Sequence, residues 1–161
     1  MFPDTSFETT VHFEATGGNG VNLPDIVFSQ WTRWTERGNL DGINEPGVYI
    51  LAHFTTPPSG NADPQVKEII YIGETCERTL QIRWREFDRA AFQNRDTHAG
   101  GITYREIFGD KGDTLFVAKF PLGAPSEEFR PFLPLLIRYV ERKLLLEYAL
   151  KWGGAPRCNK R

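Results

Sequence analysis

Two short apolar runs, GVYILAHF at 47–54 and EIIYIG at 68–73, constrain this chain more than any other feature. Both are rich in β-branched and aromatic residues and bounded by turn formers, so each predicts a strand. Their closeness predicts antiparallel neighbours joined by an extended hairpin loop through the Pro-rich stretch 57–64. Thr79 then stands where an N-cap is wanted, and Leu80, Trp84, Phe87 and Ala91 recur at helical spacing over 80–95. TLFVAKF at 114–120 predicts a third strand. Pro131 or Pro134 opens a long last helix, which Gly153 and Gly154 stop after Trp152. The order strand, strand, helix, strand, helix predicts an α/β domain of the α+β type, with a small, mainly antiparallel three-stranded central sheet flanked by helices. Upstream, FETTVHFEA at 7–15 partly alternates and predicts a strand, and 25–37, carrying Ile26, Trp31 and Trp34, predicts a short helix.

A chain of 161 residues with 40% hydrophobic content fits one domain. We divide it into an N-terminal extension, 1–45, and a core, 46–161. No repeat or low-complexity tract interrupts it. Cys76 and Cys158 are too few for a disulfide framework and match no zinc spacing, so both are expected as free thiols. No apolar run approaches the ~18 residues that span a bilayer and no leader-like segment opens the chain, so the expectation is a cytoplasmic protein with no membrane partner. The net charge of −2 hides an uneven distribution. Residues 1–30 hold four acids and no Lys or Arg, whereas 151–161 hold Lys151, Arg157, Lys160 and Arg161 and no acid. Arg78, Arg83, Arg85 and Arg89 also fall close together, so a polyanion would meet the middle and the end of the chain.

At 100° per residue, Leu133, Leu136, Ile137, Val140, Leu144 and Tyr148 share one face of the last helix. Glu147 falls inside that arc, Glu141 at its edge, and Arg138 and Arg142 on the polar side. An inward carboxylate needs an ion pair, hydrogen bonds or a metal, unless it sits at the rim. Arg83 falls beside the stripe of Leu80, Trp84 and Phe87, where a snorkelling or ion-paired side chain is the common outcome. Tyrosines in strands are usually packing residues with a satisfied hydroxyl.

Taken in order, these residues resemble the GIY-YIG nuclease family from Pro46 to Asn159. The first motif stands as Gly47-Val48-Tyr49 and the second as Tyr71-Ile72-Gly73. TLQIRW at 79–84 is similar to the family's helix segment with its functional arginine, here Arg83. LLLEYALKWGGAPRCN at 144–159 resembles the family's ending, giving Glu147 and Asn159. Phe87 occupies a position where many relatives carry a histidine, tyrosine or lysine; either the chain does without that group, or His98 or Tyr104 reaches in from a loop to supply it.

The resemblance implies a metal-dependent endonuclease that hydrolyses a phosphodiester bond. Glu147 would bind one divalent ion, and oxygen ligation suits Mg²⁺ or Mn²⁺ better than zinc. Arg83 would offer two donors to the scissile phosphate, Tyr49 or Tyr71 would activate water, and Asn159 would orient the phosphate or a tyrosine through its amide. Which tyrosine is the base is open at this level. DNA is favoured over RNA, with Arg78, Arg85, Arg89, Lys151, Arg157 and Lys160 as phosphate contacts. A non-catalytic nucleic-acid-binding module and an RNA-directed nuclease are the alternatives. One active site cuts one strand, so double-strand cleavage would take a homo-oligomer or two sequential events.

Overall fold

The structure is a computed structural model that describes residues 15–16, 20–21, 23, 25–124 and 126–160. Two-residue strands β1 (Ala15–Thr16) and β2 (Gly20–Val21) pair with each other. The rest of the strand expected at 7–15 lies outside the described residues.

The sheet that organises the molecule has four strands in the order β3-β6-β4-β5, every neighbour antiparallel. They are β3 (Thr32–Arg33), β4 (Gly47–His53), β5 (Ile69–Thr75) and β6 (Leu115–Pro121). Three of the four were predicted, and the two tyrosine-bearing runs do pair antiparallel, Tyr49 opposite Gly73 and Leu51 opposite Tyr71. β4 is central and covered on both faces, which explains why its sequence is continuously apolar rather than alternating. Val48, Ile50 and Ala52 face one layer of core, Tyr49 and Leu51 the other. A register shift between Leu51 and Ala52 makes room for the extra residue Ile70 in β5. At the start of β4 a Cβ on Gly47 would lie 2.4 Å from the Phe120 carbonyl oxygen, so the close approach of β6 requires glycine there.

Helix α1 (Leu80–Phe92) begins as expected, with the Thr79 hydroxyl accepting from the Ile82 N–H at 3.2 Å. A second helix, α2 (Ala99–Phe108), packs beside it on the Tyr49 face. α2 was not predicted. Helix α3 (Leu133–Trp152) covers the opposite face and ends at Gly153 (φ +83°), whose N–H reaches the Ala149 carbonyl at 2.8 Å.

The helix expected over 25–37 does not form. Its residues run extended through β3, which pairs with Phe116 and Val117, and only 34–39 turn into a short 3₁₀ helix. The edge of β6 supplies backbone partners that a helix at this position would forgo. Phe28, Trp31 and Trp34 then enter the same two cores as the residues beyond Pro46, so this part of the extension and the core share one interior. Both cysteines are unpaired, and no helix among the described residues is long and apolar enough to cross a membrane.

Candidate active site

The two strand tyrosines meet on the face that α1 and α2 cover. Their ring centroids stand 5.9 Å apart, tilted at 47°. Glycine makes this possible: a Cβ on Gly73 would come within 2.4 Å of Tyr71 Cε1 and 2.8 Å of Tyr49 Cζ. On the other side of the Tyr71 ring, a Cβ on Gly100 of α2 would lie 2.5 Å from Tyr71 Cε2. The ring is therefore held between two residues without side chains, one from the sheet and one from the first turn of α2.

His98, the N-cap of α2, completes the cluster. Its Nδ1 accepts from the Gly101 N–H at 3.2 Å, and its Nε2 lies 3.0 Å from the Tyr49 hydroxyl oxygen. Burial pushes its imidazole down to about 3, with the nearby Arg83 charge acting the same way, so the ring is neutral. A neutral imidazole whose Nδ1 accepts must carry its proton on Nε2, so His98 donates to Tyr49. The tyrosine hydroxyl keeps its own proton free to donate. Phe87 stands edge-on to His98 at 5.3 Å and to Tyr71 at 6.2 Å, filling space where a polar side chain would compete for the tyrosines. Of the two loop groups considered for that role, His98 reaches the cluster and Tyr104 does not. The Tyr104 hydroxyl is buried without a partner, and its ring stacks on His53.

Arg83 leans from α1 toward both tyrosines and pairs with Glu86 at 3.1 Å. Its charge is the strongest influence favouring the ionised form of Tyr71, against burial, which raises that phenol. Tyr49 is raised well above the ordinary tyrosine value, first by burial and next by Tyr71. Tyr49 is fully buried, whereas Tyr71 is partly exposed.

Asn159 sits beside the cluster, not in it. Its Oδ1 accepts from the Ile72 N–H at 2.9 Å and its Nδ2 donates to the Ile72 carbonyl at 2.7 Å. The tail that carries it lies along the free edge of β5, where the Cys158 N–H also reaches the Ile70 carbonyl at 2.8 Å. The amide bonds at Ile72 and the Cys158 bond at Ile70 thus flank Tyr71 like one more strand partner, fixing the backbone from which that ring projects.

Glu147 is not brought to the tyrosines. It ion-pairs with Lys143 one turn earlier and accepts from Gln65 Nε2 at 3.2 Å, with its side chain 40% exposed. This is the ion-paired rim position. Glu141 is the more enclosed carboxylate, its side chain only 13% exposed. Burial raises its pKa against the neighbouring Arg142, with which it ion-pairs at 3.3 Å, and Glu74 of β5 adds to the rise; both carboxylates bear on Tyr71. No group of three or more His, Cys, Asp or Glu ligands is clustered among the described residues. Glu147, held by Lys143 and Gln65, is not among the charges that bear on Tyr71, whereas Glu141 and Glu74 are. Glu141 and Glu74 are the carboxylates that could offer oxygen donors to a hard divalent ion there, with the Arg142 pair competing for the first.

No known protein family, curated protein or solved structure matches this chain.

The remaining cations divide between two regions. Arg78, ion-paired with Glu86, shares a shallow polar cleft with Arg83 and Arg138, while Arg85 and Arg89 are exposed on α1. Lys151 and Arg157 lie at the far end of α3 and its tail, against Trp152 and Phe108 respectively, and Lys160 is exposed next to Asn159. His98 and Glu141 carried little signal in the sequence. The first lies in a loop 49 residues from its partner, and the second was placed at the stripe's edge.

Proposed function

We propose that this chain is an endonuclease of the GIY-YIG type that hydrolyses phosphodiester bonds, with DNA as the favoured substrate. The observation that carries the reading is the neutral His98 donating to a buried Tyr49 beside a partly exposed Tyr71, with Arg83 charged next to both. Such an arrangement suits proton removal from water next to a phosphate. Tyr71 is the base in this scheme, because it is the more accessible phenol and has Arg83 beside it. Tyr49, its oxygen occupied by His98, orients Tyr71. Water oxygen forms the new bond to phosphorus as the bond to the leaving ester oxygen breaks; because burial raises Tyr71 and keeps it protonated, the phenol takes the water proton only as it passes its own proton onward, through solvent, to the leaving oxygen. Arg83 holds the phosphate through two donors and stabilises the charge that builds on its oxygens. Glu141 and Glu74 would hold a Mg²⁺ or Mn²⁺ ion, which would supply further neutralisation of that charge.

The test is digestion of supercoiled plasmid and of a matched RNA with Mg²⁺ or Mn²⁺, comparing wild type with Tyr71→Phe, Arg83→Ala, Glu141→Gln and Glu147→Gln. Removing the base is expected to lower kcat by about 10²- to 10⁴-fold. Plasmid cleavage that Tyr71→Phe leaves intact would overturn the assignment of the base. Cleavage of RNA alone would redirect the substrate. Inactivity of the wild type on both, with salt-sensitive binding retained, would make the chain a binding module.

A further inference from the structure

A second concave site, sharing no residue with the tyrosine cluster, lies where the β4 and β5 ends meet the last turns of α2 and α3. It is a cavity of about 400 Å³. Ile69, Ile70 and Tyr148 contribute apolar surface, and two aromatic rings, Phe108 and Trp152, stand in its wall. Trp152 is 40% exposed, yet its Nε1 donates to the Gln65 carbonyl at 3.0 Å, so the ring is held in a fixed position, with the flexible Lys67 and Lys151 side chains reaching over it. The rim is basic. Lys67 and Arg157 line it, at 5.7 Å from the Trp152 ring and 4.9 Å from the Phe108 ring, and Lys151 lies 5.2 Å from Trp152. His53 is also in the wall, with its Nε2 buried and without a hydrogen-bond partner.

Aromatic and apolar surface with cations in excess at its rim fits a ligand with an aromatic body and an attached anion. A nucleobase carrying a phosphate is such a ligand, since any base can stack on an aromatic ring and the phosphate meets Lys or Arg. Helix α2 sets the distance to the proposed chemistry. Gly100 packs on Tyr71 at one end, and Phe108 lines the cavity at the other. Eight residues at 1.5 Å each separate the two sites by about 12 Å along the helix, or about three to four steps of stacked nucleic acid.

We propose that this cavity receives an unpaired nucleotide of the nucleic-acid substrate, its base against Trp152 and Phe108 and its phosphate at Lys67 and Arg157. The inference rests on the nuclease reading for its substrate class. It makes the enzyme selective for structure, with a bulged or single-stranded nucleotide placed about three to four nucleotides from the bond that is cut.

The experiment is equilibrium binding in EDTA, where cleavage is suppressed, read by tryptophan quenching and fluorescence anisotropy. The probes are a duplex with one unpaired adenosine, the same duplex fully paired, and adenosine monophosphate. The expected result is about ten-fold or greater preference for the unpaired duplex, lost in Trp152→Ala and Phe108→Leu and retained in Trp152→Phe. Arg157→Ala should reduce the dependence of binding on salt by about one phosphate contact. Equal affinity for the two duplexes, or a preference that survives both aromatic truncations, would overturn the proposal. Binding of the monophosphate with no preference between duplexes would also overturn it, leaving a site for a free nucleotide. Cleavage is assayed separately in metal: a wild type that prefers the unpaired duplex but never cuts would sink the nuclease reading and leave this one standing.

Discussion

Asn159→Ala separates a residue that holds the strand from one that touches substrate. Two hydrogen bonds join the Asn159 amide to the Ile72 backbone, at 2.9 and 2.7 Å. Each contributes about 0.5–1.5 kcal/mol net, and truncation strands an N–H and a carbonyl in a partly buried place. The expected loss is about 2 kcal/mol. For a domain of this size that corresponds to a Tm lower by about 4–8 °C. Hydrogen exchange gives the local reading, because the Ile72 amide is expected to exchange roughly 10- to 100-fold faster while amides in α1 change less. Catalysis would fall as well, through the loosened strand that carries Tyr71. A variant with unchanged Tm and unchanged Ile72 exchange but greatly reduced cleavage would refute this reasoning, and would return Asn159 to a direct role on the phosphate.

Four further outcomes follow from the site. His98 has a folded value of about 3 against ~6.5 when unfolded, so it binds fewer protons in the folded state, and its stabilisation, complete above the unfolded value, is lost as pH falls across that window. Urea unfolding at pH 7, 6 and 5 should show wild type losing up to ~1.4 kcal/mol per pH unit more than His98→Asn, and parallel curves would rule the buried neutral imidazole out. Gly73→Ala sets a methyl against both tyrosine rings, so about 1–3 kcal/mol of stability and most activity should disappear together, and an unchanged near-ultraviolet circular dichroism spectrum with full activity would contradict the packing. Burial pushes both thiols up to about 12, with Glu74 adding to the effect at Cys76, so Cys76 and Cys158 should resist alkylation at pH 8 in the native state and react in urea; rapid native labelling would be inconsistent with that. Replacing the exposed Arg85 and Arg89 by Ala should flatten the dependence of log binding constant on log salt by about two, and an unaltered slope would remove them from the interface.

The elements readable from the sequence were those whose signal is local. β4, β5 and β6 are apolar, β-branched runs with turns at their ends, Thr79 caps α1, and Gly153 ends α3 in the left-handed conformation that glycine tolerates. α2 escaped notice because Gly100 and Gly101 open it, residues with poor helix propensity. Those same glycines are needed for close packing: Gly100 against Tyr71, and Gly101, whose Cβ would lie 2.7 Å from Ala90 Cβ, against α1. The cost in propensity is offset by tertiary contact, which no window of sequence displays. The stretch at 25–37 misled for the converse reason. Trp31 and Trp34 are spaced like a helix stripe, but they enter different cores, on opposite faces of the sheet, and that is the behaviour of an extended chain.

The two glutamates of α3 show where helix geometry alone stops being sufficient. An ideal wheel puts Glu147 inside the apolar arc and Glu141 at its edge, yet Glu141 is the enclosed one, at 13% side-chain exposure against 40%. The wheel ranks directions around one axis; burial depends on what stands opposite each direction. On the Glu141 flank the influences are its ion-pair partner Arg142 together with Glu74 and Tyr71 of β5, and on the Glu147 flank they are Lys143 and Gln65. Both carboxylates are ion-paired, so what distinguishes Glu141 is burial beside a second carboxylate that also bears on Tyr71, where a cation would relieve the most strain. Glu141→Gln should therefore abolish metal-dependent cleavage, and Glu147→Gln should mainly disturb the Lys143 pair, costing less than about 1 kcal/mol at so exposed a position. If instead Glu147→Gln alone silences the enzyme while Glu141→Gln does not, then α3 must turn or shift when substrate binds, and the motif position rather than the buried one carries the chemistry.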